Sequence, residues 1–287
     1  MNTMQPQGPG SPFEVLFEDA QFIGQPVARL RAIYGGDWVL PETSERPYRY
    51  SMFVTSHDGR VSFNVAGHEG GGDVSGFDPH DQWLMGLLRA RADAVTVGAN
   101  TLRIEPDHLW TSRFIFPDDE PSFAALRRAE GRRATPYQVF LTRSGELPES
   151  AAVFADDELD VVVATTSRGR ERLPRGLDDR VRVLVAGTEE LDLAAVHTQL
   201  HAQLRVRTVL CEGGPRVYAA LLAAGELDEE FLTRSPVVIG GTDTGPHRPG
   251  LLEGAPLEPG DPTRARLRSL RRVGDTLFSR VAYRRDG

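Results

Sequence analysis

Short apolar runs alternate with apolar stripes of helical spacing along most of this sequence. Leu84, Leu87 and Leu88 share one stripe of a predicted helix that starts at Asp78-Pro79, a typical N-cap and first position. A second stripe runs from Leu193 to Leu204. Runs of buried-strand character lie at residues 48–55, 94–97, 137–142, 160–164, 181–185 and 208–211. The alternation predicts an α/β fold: three α/β/α layers around a central mixed, mostly parallel sheet.

Irregular segments interrupt this alternation. Residues 67–76 contain five glycines and predict a mobile loop. Residues 106–134 predict a long irregular connection with a short helix at 123–128. Farther along, residues 228–240 and 276–284 predict strands at an antiparallel edge of the sheet.

The N-terminal residues 1–45 do not continue the regular alternation of the rest of the chain. This difference predicts an N-terminal extension. Its first dozen residues, rich in glycine and proline, predict a flexible lead-in. Val27, Leu30 and Tyr34 predict a short helix that ends at Gly35-Gly36. The main domain is then residues 46–287.

Composition and charge limit the kind of partner. The chain has 287 residues, of which 40% are hydrophobic and 26% charged, as in ordinary soluble proteins. Its net charge of −8 argues against nucleic acid and anionic membranes as partners. No apolar run of about 18 residues and no signal-like N-terminus occur, which predicts a cytoplasmic enzyme. The single cysteine, Cys211, excludes an internal disulfide and a cysteine-rich zinc site, and we predict no metal.

The most informative stretch is the turn Glu212-Gly213-Gly214-Pro215, which follows an apolar run. Val217, Ala220 and Leu221 behind it predict the buried face of a helix. The N–H groups of residues 214–217 would converge at the positive end of the helix dipole, where glycines admit a phosphate closely. The alternative is an ordinary tight β–α turn.

Polar side chains follow the other strands at their carboxyl ends, where ligands bind in α/β sheets. Asp58 follows the first strand and residues 98–101 the second. Thr142-Arg143-Ser144 and residues 165–168 place hydroxyls beside an arginine, which suits a phosphate monoester. Several such sites together suit a dinucleotide with a 2′-phosphate, whereas each cluster taken alone suits a solvated loop.

Five motifs occur in order over roughly residues 46–283. They are Ser56-His57-Asp58-Gly59-Arg60, Leu88-Arg89-Ala90 with Asp93-Ala94-Val95, Val97-Gly98-Ala99-Asn100-Thr101, Glu212-Gly213-Gly214-Pro215 and Pro236-Val237-Val238-Ile239-Gly240-Gly241. With these motifs the sequence resembles the reductase domain of bacterial riboflavin-biosynthesis deaminase/reductases, of the dihydrofolate reductase-like superfamily. The resemblance implies an NADPH-dependent reductase, usually a homodimer, that reduces the ribose of a 5-amino-6-ribosylaminouracil phosphate.

The resemblance also implies roles for individual residues around NADPH. Val54 would contact the nicotinamide through its backbone. We expect the 2′-phosphate to be bound by Thr142, Arg143 and Ser144. The alternative binding residues are Thr165 and Ser167. The remaining cofactor-binding residues implied are Gly98, Thr101, Glu105, Gly213, Gly214, Pro215, Arg216 and Val217.

On the substrate side, the resemblance implies that Arg89 and Arg113 bind the phosphate, near Leu109. Glu212 would face the polar edge of the substrate, and Asp58 would lie close to the pocket. Either carboxylate could supply the proton that accompanies hydride transfer, directly or through water. From the residues alone, Arg89 could equally pair with a surface carboxylate.

Departures from the family pattern keep other functions open. Asp73-Val74-Ser75-Gly76 replaces an aromatic-containing motif, and Ile104-Glu105-Pro106 replaces Asp-Asp-Pro. The zinc motif of the deaminase half does not occur in this sequence, which argues against a bifunctional enzyme. The predicted partner is a small-molecule phosphorylated pyrimidine or pterin substrate. One alternative is therefore an NADPH-dependent reductase of a pterin such as dihydrofolate. Another is a non-catalytic NADP-binding protein.

Overall fold

The computed structural model describes residues 9–19, 26–37, 40–41, 45–177, 180–241, 245–255, 260 and 262–284. The predicted flexible lead-in falls mostly outside these ranges, as do several residues of the predicted extension. Over the ranges described, no helix has the length and apolar content needed to cross a bilayer.

One ten-stranded sheet organises the molecule, in the order β1-β9-β10-β8-β2-β7-β3-β4-β5-β6. From β8 to β6 every neighbouring pair is parallel, whereas the β1, β9 and β10 edge is antiparallel. The predicted mixed, mostly parallel sheet is confirmed. The strands are β1 (Glu14–Glu18), β2 (Tyr48–Thr55), β3 (Ala94–Gly98), β4 (Tyr137–Thr142), β5 (Val161–Thr165), β6 (Arg182–Val185), β7 (Thr208–Cys211), β8 (Glu229–Arg234), β9 (Arg264–Val273) and β10 (Thr276–Arg284).

Helices cover both faces of this sheet. Asp78 caps the longest of them, since its carboxylate accepts a hydrogen bond from the His80 N–H at 2.8 Å. Asp192 does the same at the helix before β7, accepting from the Ala195 N–H at 2.9 Å. The helices are α1 (Ala28–Tyr34), α2 (Gly71–Ser75), α3 (Pro79–Arg91), α4 (Ala99–Ile104), α5 (Ser112–Ile115), α6 (Glu120–Ala129), α7 (Ser167–Arg170), α8 (Leu193–Leu204) and α9 (Pro215–Ala223).

The core lies in two layers, one on each face of the sheet. Successive residues of β4 point to opposite sides, so Phe140 belongs to the same core cluster as Trp83 of α3. Its neighbour Val139 packs instead with Val196 and Leu200 of α8. Because strands such as β4 are buried on both faces, their sequences are continuous apolar runs, and the three-layer prediction is confirmed.

Some predicted boundaries are wrong. The strand predicted at 228–240 stops at Arg234, because Pro236 cannot donate to a ladder. The segment at 106–134 contains two helices, and Pro121 opens α6 rather than breaking it. The loop predicted at 67–76 contains α2.

The extension was also only partly anticipated. Residues 28–34 form the predicted helix, but the strand formed by residues 14–18 was not predicted and pairs with β9. β1 is the edge strand and β9 lies next to it, and arginine occupies five of the ten positions of β9, which hides the apolar pattern. Phe13, Leu30 and Tyr34 join the main core, so this extension packs on the domain.

Candidate active site

A cavity of about 910 Å³ opens at the carboxyl ends of β2, β7 and β3. Its volume is near the upper limit of single-ligand pockets, which leaves room for two molecules side by side. The cavity gathers most of the predicted site residues. Those that line it are Val54, Arg89, Gly98, Thr101, Glu105, Glu212, Gly213, Gly214, Pro215, Arg216 and Val217.

The glycine turn forms one wall of the cavity. Gly214 is the N-cap of α9 and has no side chain to cover the first N–H groups, and Pro215 follows at the helix start. A Cβ added to Gly213 would lie 2.7 Å from Val217 Cγ1, so the turn fits tightly against its own helix. The open helix terminus and the absent side chains fit a phosphate of a nicotinamide dinucleotide.

A buried ion pair lines the cavity next to this turn, since Glu212 directly precedes Gly213. Arg89 on α3 donates from Nε to Glu212 Oε1 at 2.8 Å and from Nη2 to Oε2 at 2.7 Å. Its other donors bond the carbonyls of Leu109 and Thr111 and the His108 ring. These bonds occupy all five guanidinium N–H groups. Arg89 therefore has no N–H left over for a ligand in this structure and holds Glu212 in place, and its predicted role as a ligand of the substrate phosphate stays a prediction.

The His108 ring connects this pair to Glu105. Arg89 Nη2 lies 2.9 Å from His108 Nε2, and since a guanidinium only donates, Nε2 is the acceptor. The ring proton is therefore on Nδ1, which lies 3.3 Å from Glu105 Oε2. Trp110 and Phe114 flank the ring with centroids 4.9 and 4.6 Å away.

Burial controls the charge of this chain of groups. Desolvation, together with the Arg89 charge, lowers the pKa of His108 to about 2, so the ring is neutral at physiological pH. Burial raises the pKa of Glu105, against the opposing effect of Arg89. The wall therefore carries one fixed cation, Arg89, between two carboxyl groups.

We expect His108 to stay neutral, as the Nδ1–H tautomer, between pH 5 and 8. The expected result in a long-range ¹⁵N–¹H correlation spectrum is an Nε2 resonance of acceptor type that does not move with pH. The exposed ring of His68 serves as the internal control, because the hydrogen bond to Asp73 raises its pKa and its resonances should move with pH. Movement of the His108 resonances in this range would contradict the assignment.

Asp81 is a cavity residue that sequence reasoning missed. It lies on α3 in line with Met85 and Arg89, and all three border the cavity. Burial raises the pKa of Asp81 to about 7, and its Oδ1 atom has no hydrogen-bond partner in the described part of the chain. The spacing of four residues to Met85 and eight to Arg89 was the available signal, since it places the three on one helix face.

Asp58, predicted to lie close to the pocket, is not among the residues that line the cavity. Its carboxylate accepts from the Ile239 N–H at 3.0 Å, the Gly240 N–H at 2.7 Å and the Ser56 hydroxyl at 2.7 Å. These bonds, the Ile239 N–H first, lower its pKa to about 2. Asp58 fastens the turn after β2 to the segment after β8 and is not placed to hand a proton to a ligand.

Leu109 and Arg113 also lie off the cavity. Leu109 sits behind its wall, where its carbonyl accepts from Arg89 at 3.4 Å. Arg113 is exposed, pairs with Glu158 at 3.0 Å, and borders a separate cavity of about 460 Å³. The two residues next to it, Phe114 and Ile115, face the large cavity instead, so the helix α5 turns Arg113 away from it.

The residues predicted for the 2′-phosphate lie farther along the same sheet edge. Leu141 pairs with Gly98, so Thr142 and the residues after it follow directly beside the cavity-lining end of β3. Arg143 is exposed and pairs with Glu190 at 2.8 Å. Thr142 accepts from the Gly145 N–H, and the Thr166 hydroxyl donates to the Arg143 carbonyl. An extended ligand bound at the glycine turn would reach these groups by crossing β3.

Two other predictions concern metals and Cys211. Across the described ranges, no cluster of three or more histidine, cysteine or acidic side chains is placed to hold a metal ion. Cys211 is buried in β7, and desolvation raises the pKa of its thiol to about 11. The thiol is therefore not an activated nucleophile.

A cavity of this size at the carboxyl edge of a mostly parallel, three-layer sheet is the arrangement of an α/β enzyme. Within that class, the chain belongs to the family of the RibD C-terminal domain, whose model matches residues 47–278. The prediction of a riboflavin-biosynthesis reductase domain is confirmed by this match.

The names of similar proteins agree with this family assignment. The 2,5-diamino-6-ribosylamino-4(3H)-pyrimidinone 5′-phosphate reductase of Archaeoglobus fulgidus is 24% identical over 240 residues, which cover 84% of this chain and 100% of that protein. The reductase of the same name from Aquifex aeolicus is 26% identical over 198 residues, or 69% of this chain and 80% of that protein. A pyrimidine reductase-like protein from Corynebacterium diphtheriae superposes with a TM-score of 0.66 at 28% identity, covering 89% of this chain and 98% of that one.

Proposed function

We propose that this protein is an NADPH-dependent reductase of a ribosylaminopyrimidine 5′-phosphate. The observation that carries the proposal is the cavity of about 910 Å³ that is lined both by a glycine turn at a helix N-terminus and by the buried carboxylate–guanidinium pair beside that turn. The family match and the reductase names of relatives support the same reaction class.

The proposed reaction reduces the open-chain imine or carbonyl at ribose C1′ to the ribityl chain. The nicotinamide, when bound, supplies a hydride to C1′, and one proton joins the neighbouring nitrogen or oxygen. Gly213, Gly214 and the start of α9 would hold the dinucleotide, and Val54 would contact its nicotinamide. Enclosure in the cavity aligns the two carbons and excludes water.

Glu212 is the proposed residue at the polar edge of the substrate, positioned by Arg89. Both of its oxygens already accept from Arg89, so a proton would reach the substrate through water bound beside this pair. Glu105, whose pKa is raised by burial, is the second acid on the same wall. Asp58 has no part in this proposal, because it lies off the cavity.

One observation favours the pterin alternative: the cavity contains the buried carboxyl group of Asp81, and a carboxylate can bind the amino-pyrimidine edge of a pterin. Turnover of dihydrofolate, and none of the ribosylaminopyrimidine phosphate, would establish that alternative. Cofactor binding without turnover of either substrate would indicate a non-catalytic protein. A homodimer and a cytoplasmic location stay predictions, the first testable by sedimentation.

Replacing Arg143 by alanine is expected to weaken NADPH binding about tenfold and to leave NADH binding unchanged. The loss of one charge-assisted contact to the 2′-phosphate at an exposed position weakens binding by about this factor. Titration calorimetry of both nucleotides measures it. Arg113→Ala is the matched control, since Arg113 is an equally exposed arginine in a surface ion pair, and it should bind NADPH normally. If the native protein binds neither nucleotide, the proposed function is wrong.

A further inference from the structure

Phe77 is an exposed aromatic residue at the border of the large cavity, and its backbone is strained. The residue is 62% exposed and lines the cavity together with Val54 and Gly72. Its φ is +55°, in the left-handed region that favours glycine and asparagine over bulky residues. Burial in the core does not explain this strain, because the ring is mostly exposed. Strain of this kind clusters at ligand-binding sites, which directs attention to what the ring contacts when the cavity is filled.

The connection between α2 and α3 fixes where this ring lies. Gly76, the C-cap of α2, and Phe77 both have left-handed backbones, so the chain turns sharply before Asp78 caps α3. The Phe77 N–H donates to the Gly72 carbonyl at 2.8 Å, which ties the strained residue to the first turn of α2. The position of the ring is therefore set by the backbone on both sides of it.

Gly72 provides the surface on which the ring rests. A Cβ added to Gly72 would lie 2.7 Å from Phe77 Cε1 and 3.1 Å from Cδ1, so the ring lies directly against the backbone of α2. The preceding Gly71 approaches Val54 at the end of β2, since a Cβ there would lie 3.1 Å from Val54 Cγ1. The ring thus has backbone behind it and the cavity in front of it, one residue along α2 from the contact with Val54.

We propose that Phe77 stacks on a planar heteroaromatic ring of a ligand bound in the cavity. This inference rests on the proposed function, in which two such rings would meet near Val54: the nicotinamide of the cofactor and the pyrimidine of the substrate. Aromatic rings bind each other in offset-stacked or edge-to-face contacts, which stabilise a complex beyond the apolar area they cover. Because Gly72 already supports the ring before a ligand arrives, little side-chain freedom is lost on binding.

A set of variants separates the aromatic ring from the strained backbone. Phe77→Leu keeps an apolar side chain without the ring and should weaken ligand binding about tenfold, whereas Phe77→Tyr keeps the ring and should bind within about twofold of the native protein. Phe77→Asn should weaken binding as leucine does, yet leave Tm within about 2 °C, because asparagine is tolerated in the left-handed region. Arg205→Asn is the matched control, since Arg205 has φ +56° at the C-cap of α8, outside the cavity lining, and this variant should bind normally.

Two measurements on the full chain identify the ring that Phe77 contacts. Titration calorimetry with NADPH reports on the nicotinamide, and 2′-phospho-ADP-ribose, which lacks the nicotinamide, is the matched ligand whose affinity should not change. The KM of the ribosylaminopyrimidine phosphate at saturating NADPH reports on the pyrimidine.

A loss of about tenfold in either quantity for Phe77→Leu and Phe77→Asn would support the inference. Native values of both quantities in these two variants would overturn it, and so would an equal loss in Phe77→Tyr. If the native protein binds no NADPH, the proposed function is refuted instead.

Discussion

Replacing Arg89 by methionine is expected to lower the free energy of unfolding by about 3–5 kcal/mol, the usual cost of leaving one partner of a buried ion pair alone. The Arg89 side chain is 1% exposed and that of Glu212 is 8% exposed. The substitution also removes the donors to the carbonyls of Leu109 and Thr111 and to the His108 ring. Each of these acceptors would be left buried and unsatisfied.

Thermal denaturation measures this effect, and for a chain of this size the loss corresponds to a fall in Tm on the order of 10 °C. Arg113→Met is the matched control, because its pair with Glu158 is exposed and contributes about 0–1 kcal/mol. The double variant Arg89→Met/Glu212→Leu should regain part of the lost stability, since no buried charge is left unpaired. Equal Tm values for the two single methionine variants would contradict the buried-pair account.

The difference between the glycine turn and this ion pair explains which parts of the site could be predicted. The turn's chemistry is local, because two glycines, a proline and a helical stripe within a short stretch define both the backbone and its open N–H groups. Arg89 and Glu212 are 123 residues apart in the sequence, and the pairing of β3 with β7 helps to bring the end of α3 and the end of β7 together. No local sequence pattern shows that Arg89 and Glu212 are in contact. The sequence therefore predicted Arg89 as a ligand of the substrate phosphate.

Asp81 and Asp58 show that the sequence does not report where a side chain lies. Asp81 borders the cavity and was not predicted, whereas Asp58 was predicted near the cavity and does not border it. Asp81 lies in the first turn of α3, where an acidic residue commonly serves the helix dipole, and its burial arises from packing against α2 and β8. Asp58 follows a strand in a site-like motif, yet its carboxylate is used by two backbone N–H groups of a segment 181 and 182 residues away. In both cases the residue type indicated that the carboxylate has a role, but the sequence did not show which part of the structure the side chain faces.

Replacing Gly214 by valine is expected to weaken NADPH binding about 100-fold while leaving Tm nearly unchanged. Gly214 has φ −61° and ψ 175°, which any residue adopts. Among the described residues, a Cβ there would meet only Thr101 Oγ1, at 3.7 Å, so the fold has room for it. The added side chain would instead fill the space in front of the α9 N-terminus and keep the phosphate from its N–H groups. Losing one or two charge-assisted hydrogen bonds has about this effect.

Two glycine variants make this prediction specific. Gly260→Val is the matched control, since a Cβ at Gly260 lies 4 Å or more from every described neighbour, and it should bind NADPH normally. Gly213→Ala should lower Tm as well as affinity, because its Cβ would press on Val217 and displace the first turn of α9. Titration calorimetry and thermal denaturation of all three variants separate these effects. Unchanged NADPH affinity in Gly214→Val would show that the turn is architecture alone, and the dinucleotide would then have to bind elsewhere along the sheet edge.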